Sequence, residues 1–407
     1  MKKNTILIIL LIVAILALWF DIFLRLRKDN NIITQDPGIT QEPTTTQEPS
    51  TQEPITQGPE TPSIYTWETT TTKSETNTEL NVLTSIDDDV TDNSLWCGTF
   101  QLVWNDMVNN VVKQDVVFSP QLKDVENLNK QTFSEKYLSY NSYYTKFWLL
   151  TLDLKDEIEK WIRKKFNETS DILDQLDWSN VPQSDEDYDL MDTKRYWFYA
   201  MLKKIFNFKT AFDELSMWSF DGKYDNIEYF GINWKSNEIL YDQVHVYYYN
   251  SNDDFAVALK TNEWEEIILA VWIEGNSFMK MYSNLIRNES AYRWNHYFTE
   301  YDYLQVPNLQ TKTLVEFKNL ENKDFFAKDG KWYFIGKALQ AIEFELNKSW
   351  WYIKSEAWIE MTENAMLIEK IEHRYFKFDK PFVMFWKEAD KTLPYFAAKI
   401  SDITLFQ

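Results

Sequence analysis

The side chains able to do chemistry are few in kind and scattered. Three histidines are present, His245, His296 and His373, and none falls in a His-x-x-x-His or His-Glu-x-x-His frame, the spacing that sets two imidazoles around a metal on one helix face. His245 lies in an apolar stretch and reads as a satisfied structural residue. The one cysteine, Cys97, can form no internal disulfide and supports no cysteine-based metal site; a buried thiol is the expectation. Eight glycines, scattered singly, build no phosphate-cradling loop. The pair Glu265/Glu266 and the run Asp185-Glu186-Asp187 are carboxylate clusters of the sort that acid–base catalysis uses, and both are expected in solvated loops. No catalytic constellation, metal site or cofactor follows, and no enzyme is expected.

The elements that must position any site come from a chain of 407 residues that is 44% hydrophobic and 17% aromatic, enough to bury a large core. Its net charge of −21 argues against nucleic-acid binding, which needs Lys and Arg to neutralise phosphates. From about Asp92 to Gln407 the pattern is aromatic and alternating. Asp156 to Phe166 reads as an amphipathic helix with Ile158, Trp161, Ile162 and Phe166 on its apolar face. Tyr196 to Lys209 is compatible with a buried strand or a helix. Val244 to Tyr249 reads as a strand with its turn at Asn250 to Asp254, followed by strands at Phe255 to Leu259 and Glu266 to Ile273. Further strands are expected at Trp332 to Ile335, Ala341 to Leu346, Trp350 to Ile353, Pro381 to Trp386 and Tyr395 to Ile400. Helices early and strands late predict an α+β fold with large, mainly antiparallel sheets.

Ahead of this domain stand two other segments. Residues 5–24 hold an apolar run from Ile6 to Phe20, interrupted by Asp21 and continued by Ile22, Phe23 and Leu24, with Lys2 and Lys3 before it and Arg25, Arg27 and Lys28 after. Such a run is long enough to cross a bilayer as a signal-anchor, or to serve as a signal peptide; the anchor is the favoured reading. Residues 29–91 carry a degenerate Thr-Gln-Glu-Pro repeat, from Thr34-Gln35-Asp36-Pro37 to Thr56-Gln57-Gly58-Pro59. Regular proline blocks helix and sheet pairing and predicts a disordered stalk. Sequons at Asn167, Asn288 and Asn347 fit an exported glycoprotein displayed outside the membrane, or secreted if the leader is cleaved.

The last thirty residues carry a family resemblance. Phe376-Lys377-Phe378-Asp379-Lys380-Pro381-Phe382-Val383-Met384-Phe385 resembles the C-terminal signature of the serpins, with Phe378, Lys380, Pro381 and Phe382 opening a buried hairpin. Lys391 to Ile400 looks like its second strand, with Ala398 in place of the usual glycine. Other pieces follow in serpin order. Phe100-Gln101-Leu102 and Val116-Val117-Phe118-Ser119-Pro120 resemble the first helix and its Phe-Ser-Pro element; Asp156 to Ile162, then Ile172-Leu173, resembles the helix across the central sheet. Phe208 to Asp213 and Val306-Pro307-Asn308-Leu309 resemble later connecting stretches.

The resemblance implies a protease inhibitor that works by a bait loop: a protease attacks the loop, and the cleaved loop inserts into the central sheet as a new strand. Ser355-Glu356-Ala357 resembles the loop's hinge, although Trp358, Ile359 and Met361 follow where small residues are usual. Counting back from Lys377 places Lys370–Ile371 at the scissile position, which suits a trypsin-like serine protease. A count forward from Gln340 falls about six residues earlier. Gln340 and Ala200 or Tyr199 stand where the family has a His and an Asn that lock the sheet. The interval from Pro120 to Asp156 is short, so helices and one sheet strand are expected to be missing or rebuilt. A serpin-fold surface binding module without inhibitory action is the alternative.

Overall fold

A computed structural model describes residues 68–69, 80–167, 173, 177–190, 194–348 and 373–407. Residues 5–24, nearly all of the stalk, the segment Trp350–Ile353, the hinge Ser355-Glu356-Ala357 and the bond Lys370–Ile371 lie outside them.

Along the chain run β1 (Glu68–Thr69), β2 (Asn81–Leu83), β3 (Ser94–Cys97) and helix α1 (Thr99–Asp106), which passes into a π-helical stretch, Met107–Val112. Helix α2 (Lys123–Asn129), β4 (Tyr143–Leu149) and helix α3 (Leu152–Phe166) follow, then β5 (Arg195–Ile205), β6 (Asp213–Phe220) and β7 (Tyr224–Ile232). Next come β8 (Val244–Ser251), β9 (Asp254–Lys260), β10 (Glu265–Val271), helix α4 (Phe278–Ala291), β11 (Asp302–Pro307) and β12 (Leu309–Glu316). The C-terminal part holds β13 (Asp324–Phe326), β14 (Trp332–Leu346), β15 (Arg374–Lys377), β16 (Phe382–Glu388) and β17 (Phe396–Ile400).

Three sheets result. The central one runs β1-β12-β14-β5-β4, with β13 also on β14; the second runs β2-β3-β17-β16-β10-β9-β8; the third runs β15-β11-β7-β6. Most pairs are antiparallel, and β14/β5 is the long parallel exception. The expected mixed α+β class is what forms.

Physical reasons fix the differences from the sequence reading. The run from Tyr196 is a strand because both of its faces are covered: Trp197, Tyr199 and Met201 pack under α3, while Phe198 and Ala200 pack under α1. A strand buried on both sides loses the alternation that would have identified it. The two strands expected at Trp332 and Ala341 are one fifteen-residue strand, bent by a register shift between Ile335 and Lys337. Gly336 stands at that bend, and a Cβ there would lie 3.2 Å from Arg195 Cβ and 3.3 Å from the Tyr196 carbonyl oxygen.

Helix α3 starts four residues before its expected place. Thr151 caps it by accepting from the Leu154 N–H at 3.1 Å, and Asn167 ends it in the left-handed conformation. Its buried stripe is Leu154, Ile158 and Ile162, and Trp161 is left 38% exposed. Residues 80–91, which composition groups with the stalk, pack into the globular unit. There β2 pairs with β3, and buried Asp88 accepts from the Thr84 and Ser85 N–H groups and from Asn127. The short interval from Pro120 to α3 holds one α-helix, α2, and one strand, β4.

Candidate functional site: the seam between two parallel strands

The two longest strands of the central sheet lie side by side and point the same way. Pairing runs from Phe334↔Arg195 to Glu345↔Ile205. Small side chains gather along it: Ala200 on β5, and Ala338 and Ala341 on β14, all fully buried. One face of this seam is roofed by Leu154, Ile158 and Ile162 of α3, the other by Phe100, Val103 and Trp104 of α1. Parallel pairs are slightly weaker per residue than antiparallel ones. A strand arriving from the Leu346 end and running back along β14 would be antiparallel to both neighbours.

Gln340 sits at mid-seam, in register with Ala200. Its side chain is fully buried and leaves the sheet to donate, through Nε2, to the Cys97 carbonyl (3.0 Å) and to Thr99 Oγ1 (2.9 Å) at the entry to α1. Among the described residues its Oε1 has no hydrogen-bond partner, an unsatisfied buried acceptor of the kind that costs about 1–3 kcal/mol. Gln340 therefore ties β14 to the end of β3 and the start of α1, through contacts the sequence did not reveal. Cys97 itself is the expected buried thiol; burial pushes it up to about 11.

Near the start of β14 lies a cluster absent from the sequence reading. Glu321 Oε1 accepts the Ala338 N–H at 2.9 Å, while Lys337 bonds Glu316 and lies 3.8 Å from Glu321 Oε2. Burial and the neighbouring Glu316 carboxylate push Glu321 up to about 7. The folded state thus binds a proton that the unfolded chain has released above about 4.5. Stability from this group is fully present below that value and is lost as pH rises through 7. Glu321→Gln is accordingly expected to raise the melting temperature at pH 8 and leave it little changed at pH 5. Equal effects at both pH values would remove Glu321 as the titrating group.

The two flanks of residues 349–372 differ: the β14 side carries surface contacts, and the other side a buried ion pair. Lys348 bonds Glu214 and Asn347 bonds Glu345 on the β14 side. On the other, Arg374 opens β15 opposite Asp302 of β11. Its guanidinium donates to both Asp302 oxygens, at 2.8 and 2.7 Å, and to the carbonyls of Asn295 and Tyr297. The C-terminal signature then enters the core. Phe378 is fully buried, 5.1 Å from Phe255 and 5.4 Å from Phe382, while Lys380 pairs with Asp253 at 2.6 Å on the surface. Pro381 leads into β16, and β16 and β17 form the expected hairpin inside the second sheet, with Trp386 stacked 3.7 Å from Phe396.

Two sequence expectations are corrected. Glu265 is not in a solvated loop. It is 4% exposed on β10, bonded to Lys204 Nζ at 2.5 Å and to the Tyr395 hydroxyl at 3.1 Å. Glu266 beside it pairs with Lys387 at 2.9 Å. Their strand was legible; the inward turn of the first carboxylate was not, because its partner lies 61 residues away. The histidines are also closer than their spacing suggests: His245 and His296 stack at 5.4 Å, with Glu289 3.7 Å from His245. Among the described residues no group of three or more ligands could hold a metal. The run Asp185-Glu186-Asp187 does form an exposed turn, in which Asp187 accepts from the Ser184 N–H.

The sequons fall in different settings. Asn167 is the exposed residue that ends α3, Asn347 follows β14, and Asn288 is half-buried in the last turn of α4. Among the described residues no helix is long and apolar enough to cross a membrane.

No family model and no curated protein matches the chain. Among solved structures it is similar to Serpin48 of the insect Tenebrio molitor, at 11% identity and a TM-score of 0.36, over 61% of this chain and 65% of that one. It is also similar to serpin-12 of Manduca sexta (11%, TM-score 0.40, 72% and 74% covered) and to uncleaved ovalbumin (11%, 0.37, 63% and 72%). The chain spans 65% of the length of the first of these. Superposition at that level says nothing of what the molecule does. In its own right the fold has two long parallel strands paired at the heart of the central sheet and a C-terminal hairpin buried in the second.

Proposed function

We propose that this chain is a serpin-type inhibitor of serine proteases, not an enzyme, displayed at a cell surface or secreted. The observation that carries the reading is the parallel β14/β5 seam. The segment bearing the candidate bond leaves from the end of β14, so after cleavage its free arm starts at the mouth of that seam. From Asn347 to Lys370 is 24 residues, or about 80 Å extended, and the fifteen residues of β14 span about 50 Å. The arm is long enough. The proposed step is attack by the protease serine on the Lys370 carbonyl: an ester forms, the Lys370–Ile371 peptide bond breaks, and the Ile371 amine leaves. Insertion before hydrolysis of that ester would trap the protease.

Two features oppose insertion and favour a non-inhibitory binding module. Trp358, Ile359 and Met361 would have to fit between α1 and α3, at about 1–3 kcal/mol for each misfit. Gln340 must also surrender two buried hydrogen bonds if the seam shifts.

Incubation of the chain with trypsin, followed by denaturing gels and thermal melting, separates the readings. Inhibition predicts a detergent-stable covalent band that Lys370→Ala abolishes, and a cleaved product whose melting temperature rises by about 10 °C or more. Cleavage after Lys370 with neither adduct nor gain in stability would sink the insertion mechanism.

A further inference from the structure

Where β5 begins, the central sheet borders a cavity of about 200 Å³. The bend in β14 opens its floor: Gly336 has no side chain, and a Cβ there would lie 3.2 Å from both Arg195 Cβ and Leu150 Cδ2. Leu150, Trp178 and Val181 form an apolar wall. That wall is fixed. Trp178 donates its indole N–H to the Leu173 carbonyl at 2.5 Å and stands edge-on to buried Trp197 at 5.1 Å. The Val181 N–H returns to the Trp178 carbonyl at 3.3 Å, and the Leu150 carbonyl accepts the Tyr188 hydroxyl at 2.9 Å. Walls held this way need little ordering before a ligand enters.

Arg195, the first residue of β5, lines this cavity half-buried, and its guanidinium makes no hydrogen bond or ion pair with any described residue. The other charged groups on the lining are engaged. Lys337 is held between Glu316 and Glu321, and Glu321 accepts the Ala338 N–H. Asp177, at the exposed mouth, accepts from the Ser179 N–H and hydroxyl. A partly desolvated cation with no partner is costly, and its missing acceptor calls for an account. We propose that the cavity binds a small monocarboxylate with an apolar body, its carboxylate forked on Arg195 and its body against Leu150, Trp178 and Val181. The planar guanidinium matches a carboxylate with two parallel hydrogen bonds. The carboxyls of Asp177 and Glu321 on the same lining disfavour a second negative charge, and so a dianion such as phosphate. The volume falls below the usual range of about 300–1,000 Å³ for drug-sized ligands, which limits the body to a single ring. None of this rests on the inhibitor reading.

The probe is phenylacetate, titrated calorimetrically into the full chain, with benzyl alcohol and inorganic phosphate as comparisons. Phenylacetate is expected to bind one to one and to raise the melting temperature, and both comparisons to bind at least about tenfold more weakly. Arg195→Gln is expected to lose about ten- to hundredfold in affinity, as when hydrogen bonds to a charged group are removed. Arg195→Lys should recover only part of that loss. Val181→Phe fills the cavity from its apolar side and is expected to abolish binding with Arg195 intact. Melting temperatures without ligand will confirm that the variants fold. Unchanged affinity in Arg195→Gln or in Val181→Phe overturns the site. The comparisons need no variant: benzyl alcohol bound as tightly as phenylacetate overturns the role of the carboxylate, and phosphate bound as tightly overturns the ligand class. No heat and no thermal shift at millimolar phenylacetate overturns the proposal as a whole.

Discussion

Replacing Arg374 by alanine is expected to cost about 3–5 kcal/mol, the loss typical of breaking a buried ion pair from one side. The side chain is 10% exposed and its partner Asp302 1%, and the contact is two-pronged, the geometry in which Arg–carboxylate pairs are strongest. Asp302 would keep the Thr299 N–H and hydroxyl as donors, so the deficit has a ceiling. The carbonyls of Asn295 and Tyr297 would lose their donor outright. Because Arg374 opens β15 directly after residues 349–372, the variant should also free the C-terminal stem of that segment. Urea unfolding read by tryptophan fluorescence measures the first effect; faster cleavage beyond His373 by a non-specific protease measures the second. Arg374→Lys should recover only part of the stability, since an ammonium cannot replace the fork. A loss below about 1 kcal/mol for Arg374→Ala would show that the anchor lies elsewhere.

What the sequence disclosed follows a physical line. Elements whose pattern is local were legible: the β8–β9 hairpin, whose turn chemistry sits between two alternating runs, and α3, whose apolar side chains recur at helical spacing. The C-terminal signature was legible because residues contiguous in sequence, Phe378 to Phe382, are contiguous in the core. The seam was only half legible. Its strands show as apolar runs, but their side-by-side parallel pairing joins residues about 140 apart, and no single-chain pattern encodes that. Gln340 was noticed for what it replaces; its bonds to Cys97 and Thr99 depend on a helix 240 residues earlier. Leu150, Trp178, Arg195 and Gly336 come from four separate segments, and no sequence signal joined them.

The buried pair Lys204–Glu265 tests the same logic at the junction of two sheets. Lys204 ends near β10 from the neighbouring central sheet, and both side chains are under 10% exposed. Burial pushes the Glu265 carboxyl above the usual carboxylate range, and Lys204 and the Tyr395 hydroxyl pull it back. Lys204→Met removes the largest opposing influence. The variant should lose about 3–5 kcal/mol at neutral pH. The loss should shrink towards pH 5, because the folded variant takes up a proton on Glu265 that the unfolded chain has already released, and stability falls as pH rises through that window. Adding Glu265→Leu to Lys204→Met removes the stranded carboxylate and should restore most of the stability, less about 1 kcal/mol for the Tyr395 hydroxyl left without its acceptor. A double variant no better than the single one would mean that the methionine side chain fails to pack, and that the charge pair was never the source of the loss. Recovery beyond the parent would instead place the ion pair among features retained at a cost in stability, as buried pairs often are.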